Sequence, residues 1–162
     1  MIAVVGIAGC AIESPAEGDP ITEVTTSSLS GDTLVSMVAI AFNTGNDDKR
    51  GDSRVWIQIS LNNGNSSIQE VGGGSTWPNW SSSGFQYINL PSGTRNQDIQ
   101  AVKIGWQQGG GGWNGDNWNL QSLSIYALDP ATGQWSFQGG PGGNPLQRFT
   151  GNVTEFVWGW VQ

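Results

Sequence analysis

Apolar side chains recur at every second position over several stretches of this chain, and no window shows the three-to-four-residue spacing of an amphipathic helix. In "RVWIQISLNNG" (54–64), Val55, Ile57, Ile59 and Leu61 fall on one face and Trp56, Gln58 and Ser60 on the other, which predicts a half-buried strand with Trp56 on its polar side. "DIQAVKIGW" (98–106) sets Val102, Ile104 and Trp106 against Ala101, Lys103 and Gly105, and "WNLQSLSIYAL" (118–128) aligns Leu123, Ile125 and Ala127. "TLVSMVAIAFNTG" (33–45) is nearly continuous in apolar residues and closes on Thr-Gly, as expected of a strand covered on both faces. "FQYINL" (85–90), "WSF" (135–137) and "FVWGWV" (156–161) add shorter strands, the last with Phe156, Trp158 and Trp160 on one side.

Turn-forming residues separate these runs. Residues 62–84 read as a hairpin followed by a long loop, 107–117 as a loop with consecutive glycines, 129–134 as a turn, and "QGGPGGNP" (138–145) as a second glycine-rich loop. Seven to eight short strands joined in this way predict an all-β fold, an antiparallel β-sandwich of jelly-roll type, over residues 33–162.

Residues 1–32 form a separate N-terminal strand and connector. The apolar start "MIAVVGIAGCAIE" is rich in β-branched residues and predicts a strand, with residues 1–12 available to pair with a second copy of the chain. The alternative is an export-signal remnant, because Ile7-Ala8-Gly9-Cys10 resembles a lipoprotein cleavage box. No Lys or Arg precedes it, and the run is shorter than the ~20 residues of a membrane-spanning helix, so no transmembrane span is expected.

Composition narrows the function. At 162 residues the chain fits one domain able to bury a real core. Charged residues make up 12%, about half the usual ~25%, and solubility rests on Gly, Asn, Ser and Gln, which suits a secreted or cell-surface protein. The net charge of −7 opposes a phosphate backbone, so nucleic acid is excluded as a partner. Histidine is absent, which removes the usual general base and the commonest zinc ligand, and Cys10 alone forms no intrachain disulfide. Carboxylate pairs remain, but no local motif marks two of them, so the chain is expected to be non-catalytic.

The order of signals resembles the PLAT (lipoxygenase-homology) β-sandwich. Thr44-Gly45 closes a strand, "DSRVWIQISL" (52–61) follows as a small-polar turn and an alternating strand, and "KIGW" (103–106) runs into a loop whose "DNWNLQSLSI" (116–125) opens the next strand. The similarity spans about residues 33–128. A second resemblance is to a domain of several secreted bacterial and fungal proteins, through "TGNDDKRGDS" (44–53), "GDNWNLQSLSI" (115–125) and "LQRFTG" (146–151). Lys49 stands where that pattern usually has an apolar residue. The resemblance implies a non-catalytic targeting or adhesion module that binds lipid, calcium or another protein.

The residues themselves offer two constellations. Asp47, Asp48 and Asp52, joined by Asp116 and Asn117 if the loops meet, supply oxygens for a hard cation such as Ca²⁺, which takes six to eight. The spacing is not that of an EF-hand, and the plainer reading makes these residues turn formers, with Asp48 or Asp116 paired to Arg50 or Arg148. The second constellation is tryptophan, nine in the chain. Trp106, Trp118, Trp158 and Trp160 share apolar strand phases and are assigned to a core or an interface. Trp56, Trp77, Trp80 and Trp113 are left as candidate ligand-binding residues, suited to a lipid interface, a sugar ring or a protein surface. The leading expectation is a module that recognises a lipid interface or protein partner through "NDDKRGDS", "STWPNW" and "GGGGWNGDNW". A glycan-binding module and a structural subunit that assembles through the N-terminal strand are the alternatives.

Overall fold

The computed structural model describes residues 24–25, 29–65, 68–110 and 115–160. The expected strand at residues 1–12 and the candidate Trp113 therefore lie outside the described residues. Eleven strand segments follow one another among the described residues: β1 (Val24–Thr25), β2 (Met37–Thr44), β3 (Arg54–Leu61), β4 (Gly64–Asn65), β5 (Gln69–Val71), β6 (Ser82–Asn89), β7 (Ile99–Gln107), β8 (Trp118–Leu128), β9 (Trp135–Gly139), β10 (Gly142–Phe149) and β11 (Glu155–Gly159). The one helical element among the described residues is a 3₁₀ turn, Asn96–Asp98.

They build two sheets. The first runs β1-β9-β8-β2-β6, with β10 continuing along β8 beyond β9, and the second runs β11-β7-β3 with β4 and β5 sharing the far edge of β3. Every pair among the described strands is antiparallel except β1 on β9. The segments outnumber the seven to eight strands expected because interrupted runs share one neighbour: β9 pairs with Ile125–Leu128 of β8, and β10 with its Trp118–Ser122 end. Residues 142–145, expected as loop, are the start of β10. Backbone pairing needs no side-chain pattern, so a glycine-rich strand leaves little trace in the sequence.

The alternating strands fold as their period requires. Val55, Ile57 and Ile59 of β3 and Val102, Ile104 and Trp106 of β7 meet Val38, Ile40 and Phe42 of β2 and Leu123, Ile125 and Ala127 of β8 in a single core. Each such aliphatic side chain contributes about 1.5–3 kcal/mol on burial. β2 is buried on both faces, as its sequence predicts, but the outer cover is not a second layer. Trp135, Phe85, Tyr87 and Tyr126 form a ring-to-ring cluster across the outer face of the first sheet and bury Ala39 beneath them. Phe137 extends that cluster through Tyr126, their ring centroids 5.2 Å apart. None of β2, β6, β8 or β9 carries a charged residue.

Candidate functional site

The register of the strands brings the connections β2–β3 (45–53), β5–β6 (72–81) and β10–β11 (150–154), with the described ends of β7–β8 (108–110 and 115–117), to one end of the sandwich. This end is closed from within by aromatic rings. Phe42 stacks on Trp77 at 5.2 Å, Trp77 meets Trp118 edge-on at 5.4 Å, and Trp118 stacks on Phe149 at 5.2 Å, with Trp106 alongside. Trp118 thus points inward as its strand position predicts, and its indole donates to Thr44 Oγ1 at 3.3 Å.

Trp77 corrects the sequence expectation. Only 4% exposed, it belongs to the core and is not displayed to a ligand. The 72–81 loop folds back across the open end, tied by reciprocal backbone bonds between Lys49 and Trp77 (3.1 and 2.8 Å). Gly72, at φ +61°, makes room for it, since a Cβ there would lie 2.1 Å from Trp77 Cζ2. The glycine at 72 is the signal that a bulky side chain packs against the loop's own backbone.

Trp80 is displayed. Its indole is 66% exposed, and its backbone sits at φ +58°, a region that costs a non-glycine residue about 1–3 kcal/mol. The backbone around it is fixed: Trp80 N–H donates to Gly45 O at 3.0 Å, and Thr44 N–H donates to Ser81 O at 2.8 Å. Trp56 lies half-buried on the outer face of the second sheet, flat over Gly105, where a Cβ would fall 1.8 Å from its indole nitrogen. Its cross-strand partners are Glu70 and Gly105.

The acidic residues gather at this end without converging. Asp116 is 2% exposed, and its Oδ2 accepts from Arg50 N–H (2.9 Å) and Ser53 Oγ–H (2.7 Å), while Oδ1 lies 3.5 Å from Arg50 Nε. Asp47 pairs with Arg148 at 2.9 Å. The expected pairing of Asp116 with Arg50 is present, whereas the partner of Arg148 is Asp47 and not Asp48. Asp48 is half-buried and Asp52 exposed in the 45–53 connection, with the backbone of Gly109 packed against Asp52. Asn117 Oδ1 accepts from Gln108 Nε2 at 3.5 Å, and the same amide donates to Asp116 O. Among the described residues, no three acidic, cysteine or histidine side chains come together to hold a metal. Of the calcium set read from the sequence, Asp47, Asp116 and Asn117 are engaged in ion pairs and hydrogen bonds.

What sequence reasoning missed is Lys49. The side chain is fully buried and takes the apolar position, with its ammonium 5.1 Å from the Trp77 ring. Nζ donates to Gly72 O at 2.7 Å and to Ser75 O at 2.6 Å. Burial lowers its pKa from the ordinary lysine value, and the carboxylates of Asp116, Glu70 and Asp52 pull in the opposite direction.

No protein-family model matches this chain, and no curated protein sequence does. Solved structures do. An alpha-toxin from Clostridium absonum superposes with a TM-score of 0.56 at 14% identity, over 80% of this chain and 32% of the toxin. The alpha-toxin of Clostridium perfringens gives 0.54 at 17% identity, over 82% of this chain and 33% of its own. A calcium-dependent 11R-lipoxygenase gives 0.46 at 16% identity, over 77% of this chain and 17% of the lipoxygenase. The chain spans about a third of the toxins and less of the lipoxygenase. The fold is a PLAT-like β-sandwich.

Proposed function

We propose that this chain is a non-catalytic targeting module, exported from the cell, that adheres to a lipid interface through the loop end bearing Trp80. The observation that carries the reading is Trp80 itself: a large indole held out from a fixed backbone, in a strained conformation, at the end of a PLAT-like sandwich. An indole has an apolar body and a polar N–H, which suits the headgroup level of a bilayer.

Flotation with phosphatidylcholine vesicles tests this. Wild-type protein rises with the vesicles, and Trp80→Ala loses about tenfold in affinity, the equivalent of ~1.4 kcal/mol. Equal flotation of both proteins would remove Trp80 from the account, and no flotation of the wild type would turn the search toward a protein partner.

A second reading, a carbohydrate-binding module, rests on a different surface. The outer face of the first sheet carries the Phe85, Tyr87, Tyr126 and Phe137 rings with no charged side chain in its strands β2, β6, β8 and β9. Such a face suits a neutral sugar chain. Glycan-array binding abolished by Phe137→Ala would favour it, and an array without a hit would count against it.

A further inference from the structure

We infer that this end of the sandwich carries its own cation, the Lys49 ammonium, and that it therefore meets an uncharged, zwitterionic lipid surface without calcium; the lipid part of this inference rests on the function proposed above. Calcium requires six to eight oxygens, several of them carboxylate, and among the described residues no three acidic side chains converge to supply them. Carbonyl oxygens of the 72–75 turn accept from Lys49 Nζ at 2.7 and 2.6 Å. The Asp116 carboxylate is turned inward onto Arg50 N–H and Ser53 Oγ–H, and the Asp47 carboxylate is held by Arg148 at 2.9 Å.

A divalent ion bound through these oxygens would have to displace an ammonium already seated on the Gly72 and Ser75 carbonyls and break the ion pairs that tie the 45–53 connection to Asp116 and to β10. The positive charge that organises the loops is thus covalently part of the chain. It holds the 72–81 loop from below, through Gly72, Ser75 and the reciprocal backbone bonds to Trp77, and that loop delivers Trp80.

The same charges argue for the kind of lipid. The basic residues at this end, Lys49, Arg50, Arg54 and Arg148, are each engaged by a carbonyl or a carboxylate. The chain as a whole carries −7. With these charges paired and the chain net negative, no excess positive charge draws the loops to anionic headgroups. Attraction then comes from the indole.

The experiment crosses vesicle composition with calcium. Wild-type protein is titrated with phosphatidylcholine vesicles and with vesicles containing phosphatidylserine, each in EGTA and in millimolar Ca²⁺. In parallel, the lipid-free protein is titrated with Ca²⁺ by calorimetry and by melting temperature. The expected result is equal affinity for phosphatidylcholine with and without Ca²⁺, no gain from phosphatidylserine, no heat and no shift in melting. Vesicle binding that requires Ca²⁺, or that rises about tenfold with phosphatidylserine, would overturn the inference and leave the lipid reading standing. Failure to bind any vesicle would overturn the lipid reading and the headgroup preference together, while the calorimetric arm still decides whether calcium binds. Lys49→Met, checked for folding by circular dichroism, should bind phosphatidylcholine more weakly in both buffers; unchanged binding by the folded variant would overturn the clamp.

Discussion

Replacing Lys49 by methionine removes the ammonium and keeps most of the stem volume, so the cavity term stays small. The wild-type side chain makes charge-assisted bonds to Gly72 O and Ser75 O and lies 5.1 Å from the Trp77 ring. Bonds of that kind are each worth about 1.5–3 kcal/mol, and a partly desolvated cation–π contact about 1–2 kcal/mol. Against them stands the desolvation of a buried ammonium, several kcal/mol, whose relief favours the variant. Gly72 O also keeps its bond from Ser75 N–H at 3.1 Å, which limits the loss to one orphaned carbonyl. The balance is a destabilisation of about 2 kcal/mol, or a fall in Tm of roughly 4–8 °C for a chain of this length. Differential scanning calorimetry at neutral pH reads it. An unchanged or raised Tm would mean that desolvation outweighs the bonds and that Lys49 does not hold this end together.

Other substitutions separate the core from the display. Trp77→Ala should cost about 3–5 kcal/mol in urea denaturation, because a stacked, buried indole leaves a cavity against Phe42 and Trp118; a loss under about 1 kcal/mol would contradict its burial. Trp80→Gly should raise stability or leave it unchanged, since glycine accepts φ +58° freely, yet should weaken vesicle binding; a destabilised variant would refute the strained conformation. Asp116→Ala should cost about 2–4 kcal/mol by leaving Arg50 N–H and Ser53 Oγ–H without their buried acceptor, as measured by chemical denaturation. Gly105→Ala should cost about 1–3 kcal/mol and change the near-ultraviolet circular dichroism, because the new Cβ displaces the Trp56 indole; an unaltered spectrum would contradict the flat packing.

Strands whose two faces differ were legible from the chain alone. β3, β7 and β8 alternate because one face meets the core, and the period of two fixes both the element and the side on which each residue lies. The double burial of β2 was legible as well, although not its cause, because the Phe85–Tyr126–Trp135 cluster assembles from strands distant in sequence. Loop residues carry no such period. Trp77 and Trp80 stand three apart in "STWPNW" with similar neighbours, yet one is core and the other is surface. The difference is set by how the 72–81 loop closes over the sandwich end and bonds to Lys49. Lys49 itself was visible only as a departure from an apolar pattern. Its role depends on carbonyl oxygens more than twenty residues away, which no local motif encodes.

Whether Trp80 enters a bilayer is tested most directly by quenching of tryptophan emission with phosphatidylcholine brominated in its acyl chains, in the presence of EGTA. The account predicts that vesicle-bound wild-type protein loses part of its emission, and that this loss disappears when Trp80→Phe is bound to the same vesicles. Wild-type emission untouched by the brominated lipid, or quenching of equal depth in Trp80→Phe, would contradict it.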